Sequence, residues 1–233
     1  MTSSSHPLDR AVWNALTTRQ AHLAVSEGPV LRFDSAYARF TAVQAGAGDG
    51  AEAMVRLARR TGPLALFQTD AAAPSGLHEI DRIDCLQMTC TALNAGGRSV
   101  DFEPLGDADG PEMLALAQLT QPGPFLEKTH LLGPFIGVRR EGRLVAMAGV
   151  RLNLDGFTEV SGVCTHPDHR GQGYAGAMMR AVAHEILARG DTAFLHARAG
   201  HAETIAFYET LGFRPRITPR YLVMEPVPEP ASA

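Results

Sequence analysis

The chain has 233 residues, 45% of them hydrophobic and 20% charged, with a formal net charge of −4. That is the balance of a globular protein, long enough for one large domain or two small ones. A mildly acidic total argues against nucleic-acid and polybasic membrane-surface binding, because both select for clustered Lys and Arg. Three cysteines, Cys85, Cys90 and Cys164, are too few and too odd in number for a disulfide framework and read as core thiols in a reducing compartment. The polar start, residues 1–7, has no apolar signal core, and the apolar run 131–150 is broken by Arg139-Arg140-Glu141. A cytoplasmic protein with no membrane span is expected.

Residues 1–6 are expected to be disordered. Asp9 is placed to cap a short helix carrying Val12, Trp13 and Leu16. Short strands are expected at 21–25 and 29–33, around the turn Glu27-Gly28. A Gly/Ala loop at 45–50 leads into a helix at 51–60, whose Met54, Leu57 and Ala58 share one face, and Gly62-Pro63 stops it. Strands follow at 64–68, 77–80 and 83–90. This half, 8–95, holds no Gly-rich anion loop and no close set of acid, base and nucleophile. Its lone histidines, His22 and His78, read as surface residues. Residues 94–98, Asn-Ala-Gly-Gly-Arg, are the candidate linker to a second domain at 98–226.

That domain is expected to run as a strand at 99–105, helices at 112–120 and 125–132, and an antiparallel meander at 135–139, 144–154 and 157–165. The turns Glu141-Gly142 and Asp155-Gly156 join the meander. A long helix at 173–189, a strand at 192–197, a helix at 202–211 and one or two closing strands at 213–224 complete it. The tail 227–233 reads as disordered. The fold class is α/β (α+β), a mixed, mostly antiparallel sheet with helices on both faces, preceded by a smaller α/β half.

The stretch that carries chemistry is 159–179. A strand ends at Thr165, a turn His166-Pro167-Asp168-His169 follows, and Arg170-Gly171-Gln172-Gly173-Tyr174-Ala175-Gly176 opens into the long helix. A strand, a glycine bend and a helix N-terminus make an anion site, because free N–H groups and the helix dipole converge there. Gly171 to Gly176 spells G-x-G-x-x-G, the dinucleotide fingerprint. Against it, six residues separate Thr165 from Gln172, repeated βαβ units are missing, and His196 and Arg198 stand where an acidic residue belongs. No Gly-Lys-Ser/Thr appears, so the bend is not a nucleotide-triphosphate loop.

Arg170 to Ala175 does fit Arg/Gln-x-x-Gly-x-Gly/Ala, and Tyr208-Glu209-Thr210-Leu211-Gly212-Phe213 fits Tyr-x-x-x-Gly-Phe. With these two anchors in order, the chain from 99 to about 224 resembles the GNAT acyltransferase superfamily, and within it the branch of glycine N-acyltransferase-like proteins and acetyltransferases with an extra N-terminal half. In that branch the extra half is sometimes a degenerate copy of the same fold, although no repeat is visible here by residue identity.

The resemblance implies an N-acetyltransferase that passes an acyl group from acetyl-CoA directly to a primary amine in a ternary complex, without a metal. It implies that Arg170, Gly171, Gln172, Gly173, Tyr174 and Ala175 cradle the pyrophosphate, and that backbone groups of Val163, Cys164 and Thr165 meet pantetheine. Tyr208 aligns with the general-acid tyrosine, with a core tyrosine as its plain alternative. Glu159, eleven residues before Arg170, aligns with the base glutamate, with a solvated strand-end carboxylate as its alternative. Strand alternation puts Glu159, Ser161, Val163 and Thr165 on one side. His201 stands where the family commonly has an Asn that contacts pantetheine, and a histidine retains the ability to hydrogen-bond. His166 and His169 read as surface residues. A non-catalytic acyl-CoA-binding regulatory module is the rival reading. A small-molecule or peptide amine is the expected acceptor, with no nucleic acid and no membrane as partner. Homodimerisation stays open.

Overall fold

A computed structural model describes residues 6–228. The expectations of a disordered start and tail fall mostly on residues outside this range. Two residues inside it are ordered by hydrogen bonds. His6 caps the first turn, its Nδ1 accepting from the Leu8 N–H at 3.1 Å while its own N–H donates to Asp9 at 3.0 Å. The Val227 N–H donates to the Gly76 carbonyl at 3.0 Å.

The chain divides into two compact units. One comprises residues up to 35, 39–85 and from 218 onward, and the other comprises 36–38 and 86–217. The division therefore does not fall at 94–98. That segment is pinned inside the second unit: the Asn94 N–H donates to the Leu211 carbonyl at 3.0 Å and Asn94 Nδ2 to Thr210 O at 3.1 Å. The closing strand at 220–226 belongs to the first unit, not to the 98–226 domain.

In the first unit, α1 (Ala11–Thr17) precedes β1 (Ala24–Glu27), β2 (Val30–Phe33) and β3 (Phe40–Val43), an antiparallel meander. The third of these strands was not expected. Then α2 (Gly50–Thr61) crosses to β4 (Leu64–Gln68), which pairs parallel to β3. The last strand of the chain, β12 (Arg220–Pro226), lies between β4 and the start of β5 (Leu77–Cys90). The strands expected at 77–80 and 83–90 are one. Met54, Leu57 and Ala58 of α2 pack with Leu64, Leu66, Leu222 and Met224 to form this unit's core.

In the second unit, β6 (Glu103–Leu105) is a short edge strand and α3 (Gly110–Thr120) carries Pro111 in its first turn. The expected helix at 125–132 is only a 3-10 turn, Thr129–Leu132. Its backbone groups are taken elsewhere: the Leu126 N–H donates to Thr129 Oγ1 at 2.7 Å and the Lys128 N–H to Ala36 O at 2.9 Å. The meander is β7 (Phe135–Arg140), β8 (Arg143–Leu154) and β9 (Phe157–Thr165). Then α4 (Tyr174–Ala188) crosses to β10 (Thr192–Arg198), parallel to β9, and α5 (Ala202–Leu211) leads to β11 (Arg214–Ile217) on the end of β5. The order is β5-β10-β9-β8-β7-β6.

Side-chain alternation along the strands sends two sets of residues to two helices. Ala146, Ala148, Val150, Val160, Ala193, Leu195 and Ala197 meet α4, whereas Met147 and Cys164 meet Met113, Leu116 and Ala117 of α3. Helices thus cover both faces, as the fold class requires. Each unit repeats one topology: an antiparallel three-strand meander, a crossover helix, and a strand parallel to the last of the meander.

Candidate active site

The last register pair between β9 and β10 is Glu159 with Phe194, so beyond it the two parallel strands part. Two residues on, Gly162 takes φ +64 and the β8–β9 register slips between Gly149 and Met147. This bulge inserts one residue and reverses the alternation. Val160 packs in the α4 core, yet Cys164, four residues later, packs with α3, and Val163 returns to the α4 side. The expected grouping of Glu159 with Val163 and Thr165 on one side is therefore overturned: Glu159 and Val163 lie on opposite faces.

On the α4 face, Gly171 (φ +77) and Gly173 (φ +84) turn the chain into the helix. Few L-residues adopt this left-handed conformation without strain. Gly171 has open space where a Cβ would stand, so its backbone is approachable. Helix geometry leaves the N–H groups of Tyr174, Ala175 and Gly176 without intrahelical acceptors, and the first turn holds no acidic residue. Tyr174 is buried, donates to Gln172 Oε1 at 2.7 Å, and lies under the Arg140 guanidinium at 5.2 Å. A Cβ on Gly173 would come within 3.1 Å of Arg98 Cδ, so Arg98 also lies against the bend.

One cleft of about 420 Å³ unites these elements. Val163, Cys164 and Thr165 line it, with His169, Arg170 through Gly176, and Tyr208. Every proposed donor-binding residue except His201 is on that wall, together with the proposed acid. Thr120, Pro122, Thr204 and Phe207 line it too and had no signal in the sequence. His201 is exposed at the start of α5 and does not line the cleft. Burial pushes the Tyr208 phenol pKa up, which keeps it a proton donor at neutral pH. Burial pushes the Cys164 thiol up to about 11 against hydrogen bonds to Thr120 and Met147, so it is a thiol and not a nucleophilic thiolate at neutral pH.

Glu159 does not line the cleft, and neither alternative weighed from the sequence describes it. It is fully buried, not solvated, and it is not an open carboxylate. Arg151 donates to both its oxygens, Nε to Oε2 at 2.9 Å and Nη2 to Oε1 at 2.7 Å. His196 Nδ1 meets Oε1 at 2.7 Å. Burial raises the carboxyl pKa, but the Arg151 charge and the bonds from His196 and Arg151 outweigh it and hold the group at about 2. A carboxylate this acidic and this enclosed is a poor proton acceptor. The bonds continue outward: His196 Nε2 meets Gln87 Nε2 at 3.0 Å, and Gln87 Oε1 accepts from Arg216 Nε at 2.6 Å. The sequence held one signal for this chain, an Arg and a Glu within adjoining apolar strands joined by the Asp155-Gly156 hairpin. Nothing local linked them to residues 87, 196 and 216.

Among the described residues, no group of three or more His, Cys, Asp or Glu is placed to hold a metal ion, and no helix is long and apolar enough to cross a membrane. Cys85, Cys90 and Cys164 are buried, and no disulfide joins them among the described residues.

The family model for FR47-like proteins matches residues 135–222. Among solved structures, a protein described as an acetyltransferase of the GNAT family from Novosphingobium aromaticivorans is 38% identical, with 96% of this chain and 100% of that one covered and a TM-score of 0.84. A GCN5-related N-acetyltransferase from Kribbella flavida shares the fold at 19% identity, covering 94% of each chain with a TM-score of 0.58. A tandem GNAT protein of the clavulanic acid biosynthesis pathway does so at 16% identity over 80% of this chain and 74% of that one, with a TM-score of 0.50. No curated protein matches the sequence. Similarity at 38% identity along nearly the whole length of both chains places this protein in the GNAT family.

Proposed function

We propose that the protein is an acetyl-CoA-dependent N-acetyltransferase acting on a primary amine. One observation carries the reading: a single cleft joins the glycine bend, the free edge of a parted strand and a protonated tyrosine. The bend and the N-terminus of α4 suit the pyrophosphate, with Arg170 adding a charge-assisted contact. The β10-facing edge of residues 163–165 suits the amide groups of pantetheine, which would extend the sheet as a further strand. The thioester then comes to the parting of β9 and β10. The amine attacks the carbonyl carbon, the C–N bond forms, the C–S bond breaks, and Tyr208 protonates the departing thiolate. Transfer is direct, because Cys164 is held as a thiol. The placement of Tyr208 in the cleft favours transfer over the non-catalytic binding module.

We assign the donor to the second unit alone. In the first unit the equivalent crossover, β3 to α2, begins with Asp49 at the helix cap and Glu52 in the first turn. These carboxylates already answer the helix dipole and would repel a phosphate. The Gly50 backbone is also crowded, since a Cβ there would lie 2.6 Å from Val43. The first unit fits a degenerate copy of the fold that has lost its anion site. The test is release of free thiol from acetyl-CoA with a panel of primary amines, read together with the mass of the products. Amine-dependent release that Tyr208→Phe lowers at least about tenfold is expected. Tight binding without release for every amine supports the module instead.

A further inference from the structure

His196 sits two residues beyond the last β9–β10 pair, on the parted segment of β10. Its side chain lies away from α4, as do those of Glu159, Arg151 and Gln87, because their neighbours Leu195, Val160, Val150 and Met88 fill the α4 core. The donor cleft is lined by the N-terminus of α4 and by Thr120 and Cys164, and His196 does not line it. The His196 side chain is 4% exposed and the Gln87 amide covers its Nε2 at 3.0 Å, so an ammonium group reaches Nε2 by displacing that amide.

The hydrogen-bond chain fixes the state of this imidazole. The Glu159 carboxylate is ionised and can only accept, so His196 Nδ1 carries the proton. Gln87 uses its carbonyl oxygen to accept from Arg216, so its amide N–H₂ faces His196 Nε2, which accepts. The result is a neutral imidazole, oriented by a buried carboxylate, with its basic lone pair held against an N–H donor. A general base for an ammonium group needs this arrangement.

We infer that His196 is the proton acceptor of the reaction, that Glu159 is its positioning residue, and that the Gln87 amide marks the place on Nε2 that the substrate ammonium takes. The inference rests on the acetyl-transfer reading above. Nε2 removes one proton from R–NH₃⁺, and the free amine attacks the thioester. Tyr208 gives its proton to sulfur and regains one from the nitrogen of the tetrahedral adduct. His196 returns its proton to solvent, so the products are the amide, CoA thiol and one proton. Around His196 the charged groups are Glu159 from β9, Arg151 from β8 and Arg216 from β11. Burial, Arg151 and Arg216 lower its pKa while Glu159 raises it, and the net direction is down from 6.5. The imidazole is therefore neutral at physiological pH.

The test pairs kinetics with NMR. Using the best primary amine of the panel, wild-type kcat/KM should fall on an acidic limb below pH 6.5. His196→Gln should abolish that limb and lower kcat about 10²-fold or more. Glu159→Gln should move the limb to still lower pH, because the group that favours imidazolium is gone. A purely structural role lowers activity and leaves the limb in place. Histidine ¹⁵N spectra at neutral pH should show one Nδ1-protonated imidazole with an unprotonated Nε2, absent in His196→Gln. An unchanged limb in both variants, or an Nε2-protonated or cationic His196 in the spectra, overturns the proposal while leaving acetyl transfer intact. A wild-type protein that turns over no amine overturns acetyl transfer itself.

Discussion

Replacing Arg151 by Met tests the buried ion pair at the parting of the strands. Arg151 is 9% exposed and Glu159 is 0% exposed, and two N–H···O bonds join them. The drop of the Glu159 pKa from 4.5 to about 2 corresponds to about 3 kcal/mol. Mutational experience with buried pairs gives about 3–5 kcal/mol when one partner is removed, because the other charge stays desolvated and unpaired. Arg151→Met should therefore lose about 3 kcal/mol near neutral pH, or roughly 6–12 °C in melting temperature. The pH dependence has a definite sign. A depressed folded pKa contributes stability that is complete above the ordinary carboxylate value and lost as pH falls through 4.5 toward about 2. In the variant, burial acts with Arg151 gone, so Glu159 takes up a proton more readily and the deficit should shrink in acid. Arg151→Met with Glu159→Leu removes both charges and should recover most of the loss. Urea unfolding at several pH values measures all three proteins. A single-variant loss below about 1 kcal/mol, or a double variant worse than the single, would refute the reasoning.

Two further predictions address the sheet and the cleft. A Cβ on Gly149 would lie 2.3 Å from the Phe135 ring, so Gly149→Ala should destabilise the protein by about 1–3 kcal/mol in the same unfolding assay, and an unaltered midpoint would contradict the packing described. Tyr208→Phe should leave the Kd for acetyl-CoA within about twofold while kcat falls, since the ring that lines the cleft is kept and only the proton donor is lost. Equal losses in both would make it a binding residue.

Much of the frame was legible because it is local. Alternation and the hairpin turns gave β9 at Phe157–Thr165, and apolar periodicity with Gly212 as the stop gave α5 at Ala202–Leu211. The glycine bend and Tyr208 could be named because each belongs to a compact pattern, and the cleft brings both to one wall. What was missed is non-local. Gly162 carries no mark in the sequence that separates a bulge from an ordinary strand glycine, yet it decides that Glu159 and Val163 lie on opposite faces. Gln87 and His196 are 109 residues apart, and Gln87 and Arg216 are 129 apart, so their pairing depends on strand order alone. The helix expected at 125–132 failed for a related reason. The N–H of Lys128 finds its acceptor at Ala36, a partner that no local pattern indicates. The closing strand β12 likewise pairs with β4 and β5 of the first unit, where chain order alone would have put it in the second.

Isothermal titration of the protein with acetyl-CoA, wild type against Arg170→Ala, bears most directly on the claim that the glycine bend is the donor cradle. Saturable binding with a stoichiometry of one is expected, since we assign the donor to the second unit alone. Arg170→Ala should weaken it about tenfold or more through loss of one charge-assisted contact. Two equivalent sites, no saturable binding, or an Arg170→Ala affinity equal to wild type would contradict it.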